Sequence, residues 1–236
     1  MITVRIGNRM QPRVWGDIVL PATATEVEDL LCRIKLGSKL GGRFYPVEDF
    51  ENQIKIFEVL QYLDCDYSCL INNGVFLQEL NYVAAAMKAC NNPEMVEEFV
   101  QQANYSAGWD EWCNAFMQED DLPVYQYDLP DYSTYYTEMS AEEKYGYTCA
   151  LNNGIYDKLD DCCALDHFDF ERYGQYECDY VTLFSFGYSH DTDELDWCYY
   201  DIEEIEDEFD EYKLDFDYDH YLDSEIKEEL TDLLVG

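Results

Sequence analysis

Cations are scarce in this 236-residue chain. Fourteen Lys and Arg stand against 52 Asp and Glu, a formal net charge of −38. Such a shortage excludes direct binding to nucleic acid or to an anionic membrane, since either needs a basic patch. Histidine is rarer still: His167, His190 and His220 are all there are. None lies in a nucleophile or metal motif, so acid–base catalysis is unsupported and the chain is not expected to be an enzyme. His167, in LDHFDF, reads as a packed or exposed histidine without a catalytic partner. No run of 18 apolar residues occurs, so no membrane span is expected. The opening MITVRIGNRMQPRVW has no apolar core of a secretory signal, which points to the cytoplasm.

Metal and phosphate motifs are missing too. Ten cysteines could form a disulfide set in a secreted chain, but a cytosolic one is expected to keep them reduced and buried. Cys65 and Cys69 flank three residues and Cys162 and Cys163 are adjacent, yet no two CxxC half-sites emerge, so no zinc site is expected. The GSKLGG segment lacks the spacing and the Lys-Ser/Thr ending of a phosphate-binding loop. In DFDYDHYLDSEI, Asp215, Asp217 and Asp219 take the first three ligand positions of a calcium loop. His220 replaces the required Gly, however, and Ile226 the required Glu. Neither metal nor cofactor is expected. With 52 acids, carboxylate pairs arise at any separation, so they say nothing about glycoside hydrolysis.

What the chain does have is core material. It is 47% hydrophobic and 16% aromatic, with 22 Tyr and 12 Phe, too much for intrinsic disorder. The charge is also uneven. Residues 1–46 hold seven bases and four acids (+3), leaving seven bases and 48 acids for the rest (−41). Residues 191–236 alone carry 20 acids and two bases (−18). Self-repulsion of this size opposes compaction, so another demand must maintain it. A halophile's solvated surface would be acidic throughout; the basic N-terminal segment argues against that.

The pattern along the chain predicts an α+β fold in three modules: an α/β module over 1–50, a mainly helical one over 51–122 and an acidic α/β one over 123–236. ITVRI and WGDIVL read as strands, and LPATATEVEDLLCRI as a helix with Val27, Leu30, Leu31 and Ile34 inward and a Thr25/Glu28 capping box. GSKLGG is expected as a loop and RFYPVEDFE as extended. Leu80, Val83, Ala84 and Met87 share one helical face. Pro93 opens another helix with Met95, Val96, Phe99 and Val100 inward, and Trp109, Trp112 and Phe116 mark a third. EDDLP reads as a boundary before the β-prone VYQY. YSCLINNGVF (67–76) and YTCALNNGIY (147–156) echo each other, as a duplicated module would. Ser140 and Glu143 suit a helix start and Gly154 its end. HFDFERYGQYECDYVTLFSFGYS is expected to be extended, as a strand pair.

The C-terminal stretch DIEEIEDEFDEYKLDFDYDHYLD packs twelve carboxylates and one lysine onto a patterned segment. Ile202, Ile205, Phe209 and Tyr212 have helical spacing, and from Leu214 the pattern alternates as a strand would, with Phe216 and Tyr218 opposite the acids. SEIKEELTDLLV predicts a final helix. Such acids are held on ordered scaffolds. Duplex DNA carries one charge per ~1.7 Å of axis, so ~38 charges correspond to ~65 Å, or ~19 base pairs. Fixed carboxylates would offer acceptor oxygens where a DNA-binding protein expects phosphates. The expected partner-binding surface comprises Asp157, Asp160, Asp161, Asp166 and Asp169 as one patch. The larger one comprises Asp191, Asp193, Glu194, Asp201, Glu203, Glu204, Glu206, Asp207, Glu208, Asp210, Glu211, Asp215, Asp217, Asp219 and Asp223.

Three segments resemble the ArdA antirestriction proteins: WGDIVLPATATEVEDLL (15–31), FYPVEDFE (44–51) and FDFERYG (168–174). The resemblance implies an elongated modular α/β protein that dimerises, imitates bent B-form DNA and occupies the DNA groove of type I restriction–modification enzymes. It also implies carriage by phages and mobile elements, and action in the bacterial cytoplasm. The sequence departs from the family in its basic GNRMQPRV segment and in residues 191–236, which extend beyond the usual end. A CRISPR effector, with its basic DNA channel, is the alternative target. A chaperone of histone-like proteins is a third class, one that would bind basic proteins indiscriminately.

Overall fold

Alternation in the first strand decides how the N-terminal region packs. The computed structural model describes residues 1–47, 53–60, 76–103, 108–129, 138–190 and 199–214. Strand β1 (Ile2–Asn8) buries Ile2, Val4 and Ile6 while Thr3 and Arg5 face outward. It pairs antiparallel with β2 (Gln11–Leu20) and, on its other edge, with β5 (Ile54–Leu60). Asn8 closes the β1–β2 turn, its Oδ1 accepting the Met10 and Gln11 N–H groups at 2.9 and 3.2 Å. On the outer face Arg5 bridges Asp17 at 2.8 Å and Glu58 at 3.2 Å and lies over the Trp15 ring. Strand β5 is one the pattern did not predict, inside the stretch 51–122 expected to be mainly helical. Its run IKIFEVL is rich in β-branched residues, and β1 offers it a complete pairing edge.

Helix α1 (Ala24–Arg33) covers the inner face of this sheet. Val27, Leu30, Leu31 and Ile34 are all fully buried, as their spacing predicts. Each such side chain contributes roughly 1.5–3 kcal/mol when removed from water. The cap lies two residues earlier than expected: the Glu26 carboxylate accepts from both the N–H and the hydroxyl of Thr23, at 2.8 and 2.9 Å. Glu28 instead pairs with Lys39 at 3.1 Å. GSKLGG is not a loop. Residues Gly37–Leu40 form β3 and Arg43–Pro46 form β4, joined by Gly41 and Gly42 at φ +59° and +83°. Consecutive positive φ angles are what a tight hairpin turn requires, and glycine adopts them freely.

The chain folds into two compact units, one made of residues 1–93, 106–117 and 199–236, the other of 94–105 and 118–198. In the first, helix α2 (Leu77–Ala89) buries Leu80, Val83, Ala84 and Met87, and α4 (Trp109–Met117) buries Trp112 and Phe116. Trp109 is half-buried, its ring 6.1 Å from that of Tyr82.

The second unit takes in most of α3 (Pro93–Ala103), which buries Val96, Phe99 and Val100 and leaves Met95 half-buried. Phe99 packs on Phe184 at 5.4 Å. Three short antiparallel strands, β6 (Tyr125–Gln126), β7 (Thr182–Leu183) and β8 (Gly187–Ser189), form a sheet with β8 in the middle. Helix α5 (Ala141–Asn152) starts at Ser140, whose hydroxyl accepts the Glu143 N–H at 3.1 Å, and ends at left-handed Gly154 before α6 (Ile155–Asp161).

Residues 170–177 correct the expected strand pair: they form helix α7 (Phe170–Glu177). Asp169 caps it, accepting the Arg172 N–H at 2.9 Å, and two glycines let it lie directly on α5. A Cβ on Gly174 would stand 1.8 Å from the Glu142 carbonyl oxygen, and one on Gly146 1.9 Å from that of Phe170. Tyr147 stacks on Phe170 beside this crossing at 3.7 Å. Packed helices with small antiparallel sheets make the fold α+β. The 67–75 half of the internal echo lies outside the described residues, as do the 215–219 strand and the final helix expected from the sequence.

Candidate functional site

The segment 199–214 in the first unit sets eight acids within eleven consecutive residues. Its helix α8 (Ile202–Glu208) opens with a reciprocal cap: the Asp201 carboxylate accepts the Glu204 N–H at 3.0 Å, and the Glu204 carboxylate accepts the Asp201 N–H at 2.9 Å. Those two acids sit well at the positive end of the helix dipole. Glu206, Asp207 and Glu208 sit at the negative end, where no basic residue lies in the last turn. Each misplaced charge costs roughly 0.3–1 kcal/mol. Local preference therefore does not explain this helix, and tertiary anchoring must.

Anchoring comes from three apolar side chains and three amides. Ile205, Phe209 and Leu214 are buried, at 0%, 7% and 7% exposure. The buried set differs from the one the spacing predicts, because a 3-10 turn over Asp210–Tyr212 follows the short helix and rotates the chain. Ile202 is left exposed and Tyr212 half-buried, while Leu214 turns inward. At the front of the segment the buried Asn114 of α4 clasps the Tyr200 backbone. Its Oδ1 accepts the Tyr200 N–H at 2.7 Å and its Nδ2 donates to the Tyr200 carbonyl at 3.0 Å. At the rear Asn81 of α2 donates to the carbonyls of Tyr212 and Ala22 at 2.7 and 2.8 Å and accepts the Ala22 N–H at 2.8 Å. Gln78 adds the Leu214 N–H at 2.5 Å. The Tyr199 hydroxyl donates to Asp110, and Lys88 donates to the Tyr212 hydroxyl at 2.8 Å.

Between these clasps lie eight carboxylates in eleven residues, Asp201 to Glu211. Seven are exposed; Glu206 is partly covered and pairs with Lys213 at 3.3 Å. At about 1.5 Å per residue in the α-helix and about 2 Å in the 3-10 turn, the segment spans ~16–17 Å. That is one carboxylate per ~2 Å of axis, against one charge per ~1.7 Å in duplex DNA. Beneath it the buried Tyr82 phenol is pushed up to about 12, first by burial and then by the charges of Glu206 and Asp210.

The smaller expected patch belongs to the second unit. Asp157, Asp160 and Asp161 lie on α6, Asp166 in a 3-10 turn (Leu165–His167), and Asp169 at the cap of α7; all five are exposed. Among the described residues none of them stands in an ion pair. Asp169, Asp201 and Glu204 also have capping work, which their exposure alone would not reveal. His167 is exposed. The expected site residues Asp191, Asp193, Glu194, Asp215, Asp217, Asp219 and Asp223 lie outside the described residues. No group of three or more His, Cys, Asp or Glu converges as a metal site among the described residues. No described helix is long and apolar enough to cross a membrane.

The residues that sequence reading passed over are Gln78, Asn81 and Asn114. Asn81 lies between Leu80 and Tyr82 in LQELNYVAAAM and Asn114 between Cys113 and Ala115 in EWCNAFM. A polar amide inside an apolar helix face is the signal, since such a group is buried only with partners. No family model, curated protein or solved structure matches this chain.

Proposed function

We propose that this protein is a DNA mimic, which blocks a host defence enzyme by occupying its basic DNA-binding groove. The target that best fits the ArdA resemblance is a type I restriction–modification enzyme. The carrying observation is the anchored segment Asp201–Glu211: near-duplex charge density, almost no compensating cation, and a backbone clasped at both ends by buried amides. A solvated acidic surface needs no such clasps. A groove lined with Arg and Lys gains most from carboxylates already in place, because the mimic then loses little conformational freedom on binding.

In this reading the chain acts by binding and not as an enzyme, in the cytoplasm of a bacterial host. An elongated, strongly acidic surface made of successive modules, doubled in a homodimer, would extend the mimicry along the groove. The patch at Asp157–Asp169 and the acids outside the described residues would add to it. The contribution is collective, since single exposed ion pairs are worth roughly 0–1 kcal/mol.

The test is protection of DNA from cleavage by a purified type I restriction enzyme. Changing any one of the eight carboxylates from Asp201 to Glu211 to its amide should alter protection less than about fivefold, as that range of energies allows. Changing all eight should abolish it. Loss of protection from a single Asp→Asn change would replace mimicry with a catalytic or metal role. Should the wild-type chain fail against this enzyme yet block a CRISPR effector in the same assay, the target assignment moves and the mimicry stands.

A further inference from the structure

We propose that Cys162 and Cys163 form a chelating dithiol site for neutral, trivalent thiophilic electrophiles of the arsenoxide class. The site is independent of the DNA-mimic reading. Both residues are exposed, contrary to the expectation of buried thiols, and both are free. They form the closing turn of α6. The Cys163 N–H donates to the Asp160 carbonyl at 2.9 Å and the Ala164 N–H to the Leu159 carbonyl at 2.8 Å, the paired bonds of a Schellman ending. Cys163 adopts φ +54°, the left-handed position that glycine usually fills. A cysteine stands there instead, next in sequence to a second one whose thiol donates to the Leu159 carbonyl at 3.5 Å.

The other described cysteines are placed differently. Cys90 and Cys178 are half-buried, Cys178 close enough to Cys149 to act on its charge. Cys113 is fully buried and its thiol is pushed far up by that burial; Cys32 and Cys149 are half-buried and raised for the same reason. Thiolate character and access decide reactivity, so the exposed pair is favoured over these three.

Chemistry then selects the ligand. Among the described residues no third metal-ligating side chain completes a shell here, so a tetrahedral zinc is not provided for. A monosubstituted trivalent arsenic needs just two thiolates. It reacts as R–As=O with two thiols to give R–As(SR′)2 and water. Two As–S bonds form, the As–O bond breaks, and both thiol protons leave with the oxygen. Arsenic stays trivalent, so no oxidant or reductant is involved. The reagent is uncharged and meets no repulsion from the exposed Asp157, Asp160, Asp161 and Asp166, whereas anionic thiol reagents do.

The full-length protein would be treated with one equivalent of phenylarsine oxide and followed by intact mass. One adduct per chain should survive excess 2-mercaptoethanol, a monothiol, and be removed by 2,3-dimercaptopropanol, a dithiol. Cys162→Ser and Cys163→Ser should each reduce the surviving adduct at least tenfold. Both positions are exposed, and unchanged far-UV circular dichroism would confirm that the variants fold. Stripping of the wild-type adduct by the monothiol would overturn the proposal. So would its survival in either variant, or peptide mapping that places it on Cys149 and Cys178.

Discussion

Replacing Asn114 with Ala separates rigidity from charge. The substitution leaves the net charge at −38 and every carboxylate in place, and removes the two bonds to the Tyr200 backbone at 2.7 and 3.0 Å. Each is worth roughly 0.5–1.5 kcal/mol net, so the front clasp contributes about 2 kcal/mol. Ala is also the better helix former, by a few tenths of a kcal/mol, which offsets part of the loss in α4 itself. The expected result is a modest change in global stability with a loosened segment 199–214. Hydrogen exchange at the Tyr200 amide should rise about 30-fold, the ratio that about 2 kcal/mol represents. Inhibition should weaken by a similar factor, because binding must then order the acidic segment. If exchange rose as expected and inhibition did not change, preorganisation would play no part and the reasoning would fail. Unchanged exchange would show that Asn114 does not hold the segment.

Two further substitutions test the packing. Gly174→Ala places a methyl group 1.8 Å from the Glu142 carbonyl oxygen, a backbone atom that cannot step aside, so α5 and α7 must separate. The loss should reach or exceed ~3 kcal/mol in chemical denaturation, the upper range for overpacking; a neutral result would disprove the close crossing. Tyr82→Phe removes a buried hydroxyl that has no hydrogen-bond partner among the described residues, and should be neutral or stabilising by up to ~1 kcal/mol. It also has a pH signature. The folded-state value of about 12 lies above the ordinary 10, so below pH 10 the phenol is neutral in the folded and unfolded chain alike, and the fold loses stability as pH rises from 10 towards 12, where the unfolded chain gives up this proton more readily. Thermal melts should show the wild type falling faster than the Phe variant across that window, and parallel curves would contradict the assignment.

Much of the core was legible because period and burial coincide. Val27, Leu30, Leu31 and Ile34 are buried where the helical spacing puts them, as are Leu80, Val83, Ala84 and Met87. Strand β5 was missed because half of its meaning lies in β1, which it pairs with some fifty residues away. Helix α7 was missed for a related reason. Its aromatic residues favour strands locally, and its stability depends on Gly146 and Gly174 meeting across two helices. At the candidate site the acids were evident from composition alone. Their anchoring was not, because Asn81 and Asn114 act through backbone groups of Tyr212 and Tyr200, 131 and 86 residues distant. No local window holds both partners.

The most direct measurement of the central claim is competition at equilibrium. A labelled duplex bound to a type I restriction enzyme would be titrated with this protein at several salt concentrations. Mimicry predicts full displacement of the duplex at low salt, with the protein's affinity for the enzyme falling steeply as log[salt] rises, since many ionic contacts are screened together. Inhibition that leaves the duplex bound, or an affinity indifferent to salt, would contradict it.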